Sequence, residues 1–146
     1  SDMHYWLQRA KCTYRYAKEQ SALETAYTYA KKSYDDGGQD IHYKASLTLS
    51  IICCAISEHE KGQDKINECR LAIRYANEAV FSDFYQQNNT SLQLELDAKQ
   101  GKSHSGIQMV VNACNFIKQN STDMEDVEIS ESVLDRLHKL SLEKNS

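Results

Sequence analysis

Proline is absent from the 146 residues, and only five glycines occur. Because proline and glycine are the residues that most often interrupt regular structure, a chain with so few of them has little room for loops and tight hairpins. The glycines all fall between stretches of helical apolar periodicity, at Gly37, Gly38, Gly62, Gly101 and Gly106. The sequence therefore predicts an all-α protein in which long helices are joined by short turns.

Long apolar runs and a signal-like N-terminus are also missing. No window approaches the roughly 18 consecutive apolar residues of a membrane helix, and no basic segment followed by an apolar one opens the chain. The net charge is −4 and the isoelectric point is near 5.7, without the basic stripe of a general nucleic-acid binder. We therefore expect a cytoplasmic protein whose partner is neither a membrane nor a nucleic acid.

Catalytic, metal-binding and phosphate-binding motifs are missing as well. The five cysteines are scattered, so they suit neither a zinc site nor a disulfide framework, and we interpret them as small buried apolar residues of a reducing compartment. Cys53 and Cys54 lie in the most apolar segment, which does not suit a nucleophilic thiol. The cluster Glu58-His59-Glu60 is expected to solvate a helix end, and no phosphate-binding glycine-rich loop occurs. No catalytic residue, metal site or cofactor is predicted, and the chain is not expected to be an enzyme.

What the sequence does contain is a succession of amphipathic segments. Ser21 with Glu24, and Asp64 before the fourth segment, have the residue types and spacing of N-caps. Residues 4–119 are predicted to form one domain of helical hairpins, residues 120–126 (NSTDMED) a flexible linker, and residues 1–3 a remnant of cloning from a larger protein. About seven helices are predicted, over 4–18, 21–36, 40–60, 65–84, 91–98, 106–119 and 127–143.

The last predicted helix carries an apolar stripe formed by Ile129, Val133, Leu137 and Leu140. An exposed stripe of this kind usually covers another surface. We expect it to dock on the preceding hairpin as a solvating cap, the role that terminal helices often take in repeat arrays. The alternative is that it docks on a second chain and forms a homodimer.

A pattern of small residues and tyrosine occurs twice. The stretch TAYTYAKKSY begins at Thr25, and LAIRYANEAV begins 46 residues later at Leu71. A face of small residues lets one helix nest between its own partner and the next hairpin. The pattern therefore predicts two stacked hairpins whose second helices contain these stretches. The matched positions are Leu23/Cys69, Ala26/Ala72, Tyr29/Tyr75, Ala30/Ala76 and Ser33/Ala79.

This spacing of small residues resembles the second helix of the tetratricopeptide repeat, and Trp6 with Ala10 resembles the first helix of that family. The resemblance covers residues 4–119 and implies an α-solenoid of stacked antiparallel hairpins. The chain departs from the family in its spacings of 46 and about 38 residues, against 34, and in lacking the terminal proline and the Leu-Gly pair. The opening YWLQRA followed by such a repeat also resembles helical arrays attached to large bacterial signalling or defence ATPases.

The predicted partner-binding residues lie on the first and third helices: Tyr5, Arg9, Tyr16, Tyr43, Ser46 and Ser50. The first three fall along one flank of the first helix, with Cys12 between them, and include residue types that dominate interface hot spots. Because the first helices of a hairpin array line its concave face, both groups are expected to share one groove. The simpler interpretation is that the tyrosines only pack along the helix flanks with their hydroxyls in water.

Two classes of function remain open. The favoured one is a non-enzymatic protein–protein interaction module that binds a peptide or a partner helix in this groove, as part of a larger protein. The rival is an all-α enzyme or small-ligand-binding domain, such as a nuclease, whose site is assembled only in the fold. A convergent polar pocket with perturbed titratable groups would favour the rival. A long open groove lined by tyrosine, arginine and serine would favour the module.

Overall fold

The computed structural model describes residues 2–82 and 106–145 of the chain. Within these ranges all regular secondary structure is helical, which confirms the predicted all-α class. None of the helices described is long and apolar enough to cross a membrane. The helix predicted over 91–98 lies outside the described residues. The six helices within them are α1 (Asp2–Tyr16), α2 (Gln20–Asp36), α3 (Gln39–Ser57), α4 (Gly62–Val80), α5 (Gly106–Asn120) and α6 (Met124–Asn145).

The turns fall near the predicted positions, but the two predicted caps are wrong. Glu19 is the N-cap of α2, so Ser21 lies inside the first turn of that helix. Lys61 is the N-cap of α4, so Asp64 also lies inside the first turn. Gly62, the first residue of α4, takes a φ of 58°, a conformation that glycine adopts readily and other residues avoid.

Contacts between the helices show that α1 to α4 alternate in direction. The Ser33 hydroxyl near the end of α2 donates a hydrogen bond of 2.8 Å to the Met3 carbonyl at the start of α1. The Ser46 hydroxyl in the first half of α3 donates one of 2.7 Å to the Tyr75 carbonyl in the last half of α4. Helix α3 is central, since it packs against α1, α2, α4 and α5.

Helices α5 and α6 form a further antiparallel pair, joined by residues 121–123. Helix α6 runs parallel to α4, because Arg70 binds Asp126 near the start of α6 whereas Arg136 donates to the Val80 carbonyl at the end of α4. Helix α5 packs on both α3 and α4. Helix α6 thus packs on both α4 and α5.

The linker predicted over 120–126 is mostly helical. Helix α5 continues to Asn120 and α6 begins at Met124, three residues before the predicted start. Asp126 is fully buried, and its carboxylate accepts hydrogen bonds from two arginines of α4. These ion pairs hold the start of α6 against the rest of the protein, so this polar stretch is not a flexible tether.

The apolar stripe of α6 is used within the chain. Val133, Leu137 and Leu140 are buried in the main core, and the half-buried Ile129 packs against it. The stripe is thus covered within the chain, where α6 packs on α4 and α5. The third hairpin that the predicted cap would cover lies partly outside the described residues, so the cap stays a prediction, as does the homodimer.

Small residues fill most of the contacts made by the second helix of each pair. The alanines of the predicted repeat are buried in both α2 and α4, whereas Tyr29 and Tyr75 are half-buried. Helix α6 has the same spacing of buried positions, but with larger residues, at Ser130, Val133, Leu137 and Leu140. The cysteines also behave mostly as predicted, because all five are free and only Cys12 is exposed.

Candidate functional site

Five side chains form a continuous surface on the first pair of helices, which we call the aromatic–cationic patch: Tyr5, Trp6, Arg9, Tyr29 and Lys32. The Trp6 ring of α1 packs against the Tyr29 ring of α2 with 5.4 Å between centroids. The Tyr5 ring lies 5.2 Å from the Trp6 ring, edge to face. Such arrangements of aromatic rings are favourable and hold the rings in fixed orientations.

Arg9 lies at the centre of the patch. Its Nη1 donates a hydrogen bond of 2.9 Å to the Tyr5 hydroxyl, and its guanidinium carbon lies 4.7 Å from the Tyr29 ring centroid. The hydrogen bond to Tyr5, followed by the electrostatic effect of Tyr29, raises the pKa of Arg9. The Lys32 ammonium lies 5.1 Å from the Trp6 ring centroid. Two cations are thus held over aromatic rings, an arrangement that is favourable even at exposed sites.

The patch is accessible to solvent, and its side chains hold one another in fixed orientations. Tyr5 is 51% exposed, Arg9 and Lys32 are exposed, and Trp6 and Tyr29 are half-buried. Arginine, tyrosine and tryptophan are the residue types most enriched in interface hot spots. A surface that is both accessible and already ordered loses little conformational entropy when a partner binds.

The flank of α1 that carries the patch faces away from α3. Leu7 packs with Ile41 and Ala45 of α3. At 100° per residue, Tyr5 and Arg9 lie on roughly the opposite side of α1 from Leu7. The predicted groove shared by α1 and α3 is therefore wrong, because its two walls point in different directions.

The remaining predicted residues are separated from the patch. Tyr16 is 61% exposed and continues the flank of α1 about two turns beyond Arg9. Tyr43 is half-buried, packs against the main core and lies 5.4 Å from the His42 ring. The structure thus brings together only Tyr5 and Arg9 among the six predicted residues.

Ser46 and Ser50 do not line a groove in the structure, because both are fully buried between α3 and α4. The Ser46 hydroxyl is bonded to the Tyr75 carbonyl, and the Ser50 hydroxyl donates a hydrogen bond of 2.7 Å to the Ala72 carbonyl. Serine permits the close approach of the two helices and satisfies its hydroxyl on a backbone oxygen. Their role in the structure is packing.

We expect Ser50→Ala to lower the free energy of unfolding by about 1 kcal/mol, because a buried intramolecular hydrogen bond is lost. Ser21→Ala is the matched control, since Ser21 is exposed, and should change the stability by less than about 0.5 kcal/mol. Urea denaturation of both variants measures the difference. Equal effects of the two substitutions would contradict the buried position of Ser50.

The sequence contained a signal for the missing members of the patch. In an antiparallel pair that turns near residue 18, Trp6 lies level with a residue close to 30, which places it beside Tyr29. The same reasoning brings Lys32 next to the start of α1. The repeat resemblance groups Trp6 only with Ala10 of the same helix, and this obscured the pairing.

A second cluster of polar residues joins α2, α3 and α4. The Tyr34 hydroxyl donates to both carboxylate oxygens of Glu78, at 2.7 and 3.0 Å. His42 places Nε2 at 3.3 Å from Glu78 Oε1 and Nδ1 at 2.9 Å from the Tyr34 carbonyl. Burial and the hydrogen bond to Glu78 raise the pKa of Tyr34. Because these groups bind one another across three helices, the cluster connects α2, α3 and α4, and the side chains of His42 and Glu78 stay 31% and 38% exposed.

Neither a metal-binding group nor a known relative identifies the site. Among residues 2–82 and 106–145, no three histidine, cysteine, aspartate or glutamate side chains are close enough to hold a metal ion. The choice of the aromatic–cationic patch as the candidate site therefore depends on its geometry and charge. Comparison with known proteins finds no matching protein family, no matching curated protein and no matching solved structure.

Proposed function

We propose that the chain is a tetratricopeptide-like array of helical hairpins that acts as a non-enzymatic protein-interaction module. The packing supports this proposal, because each of α1 to α4 packs on the next and α3 packs on both α1 and α5, as in a stack of hairpins. The second helices α2, α4 and α6 repeat one spacing of buried residues. Repeat arrays of this kind serve mainly as binding surfaces.

The aromatic–cationic patch is the binding surface in this proposal, and its partner is an acidic peptide segment. Residues 2–18 contain four basic residues and one acidic one; because the whole chain carries −4, the other residues together carry −7. Both charged members of the patch, Arg9 and Lys32, are cations. Charge complementarity of this kind selects partners and accelerates their association.

Each part of the patch has a separate role in such binding. The Arg9 guanidinium, already oriented by Tyr5 and Tyr29, offers its outward N–H groups to a carboxylate of the partner. Lys32 supplies a second positive charge one helix away. The exposed ring of Tyr5 gives apolar contact area to the side chain next to the carboxylate. The partner then lies across α1 and α2 at the end of the array, and not in a groove between α1 and α3.

Selection from a library of short random peptides tests this function directly. We expect peptides selected on the native protein to be enriched in Asp and Glu, and Arg9→Glu should weaken their binding about ten-fold or more. Lys18→Glu makes the same charge change at an exposed position in the turn after α1 and is the matched control. The melting temperature of each variant shows whether it is folded.

Two outcomes would contradict the proposal. Selected peptides without acidic residues would show that charge complementarity does not determine the partner. Equal weakening by Arg9→Glu and Lys18→Glu would show a general electrostatic attraction without a defined surface. Sensitivity of binding to Arg9→Glu and to Tyr5→Ala, but not to Lys18→Glu, is the result that supports the patch.

A further inference from the structure

A pocket of about 280 Å³ lies where the end of α3 and the first turns of α4 meet α5. Its volume is just below the range of about 300–1,000 Å³ that is usual for ligand pockets. It is thus too small for a peptide helix and suits a small organic molecule. The pocket is separate from the aromatic–cationic patch, with which it shares no residue.

The floor of the pocket is apolar. Cys54, Cys69, Met109 and Ala113 line it, and each of these residues is almost completely buried. Burial raises the pKa values of both the Cys54 and the Cys69 thiols, so the two sulfur atoms remain protonated and behave as apolar groups. The floor therefore favours a hydrocarbon body over a polar one.

Two charged residues line the pocket, Lys65 and Glu58. The Lys65 ammonium is 5.2 Å from the Phe116 ring centroid and 3.3 Å from the Ser57 carbonyl oxygen. Glu58 is exposed. Met109 and Phe116 are seven residues apart on α5, which corresponds to roughly 10 Å along the helix axis.

The far end of the apolar floor is held in place by α1, because the Tyr14 hydroxyl donates a hydrogen bond of 3.6 Å to the Met109 sulfur. An anion that enters the pocket is attracted to the Lys65 end.

We propose that this pocket binds a small monocarboxylate with an apolar body, whose carboxylate pairs with Lys65 and whose body covers Met109 and Ala113. The Phe116 ring and the Ser57 carbonyl hold the Lys65 ammonium at the mouth, where one of its three N–H groups can bind the ligand.

Three probes with the same apolar body test the proposal: 3-phenylpropionate, 3-phenylpropan-1-ol and 3-phenylpropylamine. Titration of the native protein followed by NMR chemical shifts should show that the carboxylate binds at least about ten-fold more tightly than the alcohol or the amine. The shifts should be confined to residues of the pocket. No saturable binding of the carboxylate, or equal binding of the three probes, would overturn the proposal.

Charge reversal at Lys65 provides the second measurement. Lys65→Glu should reverse the preference, so that the amine binds more tightly than the carboxylate. Lys118→Glu makes the same charge change at an exposed position on another side of α5 and should preserve the preference of the native protein. The melting temperature of each variant establishes that it is folded. If Lys65→Met, which keeps the length of the side chain, binds the carboxylate as tightly as the native protein does, Lys65 is not the anion site and the proposal fails.

Discussion

Replacement of Asp126 by alanine is expected to lower the free energy of unfolding by about 3 kcal/mol. The Asp126 carboxylate is fully buried at the start of α6, where it accepts hydrogen bonds from the Arg70 Nε at 2.7 Å and the Arg74 Nη2 at 2.5 Å. Removing one partner of a buried ion pair costs about 3–5 kcal/mol, because the remaining charge loses its compensation. The lower end of this range applies because both arginines are 39% exposed and can regain some hydration.

Glu125→Ala is the matched control for this prediction. Glu125 precedes Asp126 directly and also pairs with Arg74, at 3.6 Å, but its side chain is 71% exposed. Exposed ion pairs contribute at most about 1 kcal/mol. Urea denaturation of the two variants, with an unchanged dependence on urea concentration, gives the comparison. Equal losses of stability would show that burial does not distinguish Asp126 from its neighbour.

The same residue explains why the sequence predicted the helices well and the connection before α6 poorly. Helix periodicity is a local signal, so α2, α3, α4 and α5 are found close to their predicted ranges. The burial of Asp126 is not a local property, because it depends on Arg70 and Arg74, which lie more than 50 residues earlier in the chain. A polar stretch such as NSTDMED therefore indicated an exposed linker until its partners were known.

The sequence likewise predicted some residues of the candidate site correctly and others not. Tyr5 and Arg9 could be predicted because their positions on α1 leave them outside the apolar face. Ser46 and Ser50 could not be placed, since a serine on a helix suits both an exposed surface and a hydroxyl bonded to the carbonyl of a neighbouring helix. Which of these applies depends on how closely α3 and α4 approach, and the sequence of α3 alone does not determine that distance.

Raising the pH from 9 to 11 is expected to lower the free energy of unfolding by several kcal/mol. Burial is the largest cause of the raised pKa values of four thiols, and it raises that of Cys114 to about 12; the four are Cys53, Cys54, Cys69 and Cys114. In the unfolded chain a thiol loses its proton near pH 9, whereas the buried thiol keeps it. Above that pH the unfolded state binds fewer protons than the folded state, so stability falls as the pH rises.

The expected loss of unfolding free energy at alkaline pH is large for a single domain. Each buried thiol contributes a loss of up to about 1.4 kcal/mol per pH unit between its unfolded and folded pKa values. Burial likewise raises the pKa values of Tyr14 and Tyr75, which adds to the loss above about pH 10. Since a typical domain has a total stability of only about 5–15 kcal/mol, these losses together remove a large part of it.

Two cysteine variants separate this cause from a general effect of alkali. Cys114→Ala removes one buried thiol, so the loss of stability between pH 9 and pH 10.5 should become shallower by about 1.4 kcal/mol per pH unit. Cys12→Ala removes the exposed thiol and should leave the slope unchanged. Urea denaturation at each pH, with a reductant present to prevent disulfide formation, measures both slopes. An identical slope in Cys114→Ala and the native protein would mean that the Cys114 thiol ionises in the folded state at its ordinary pKa, and burial would then not account for the alkaline loss of stability.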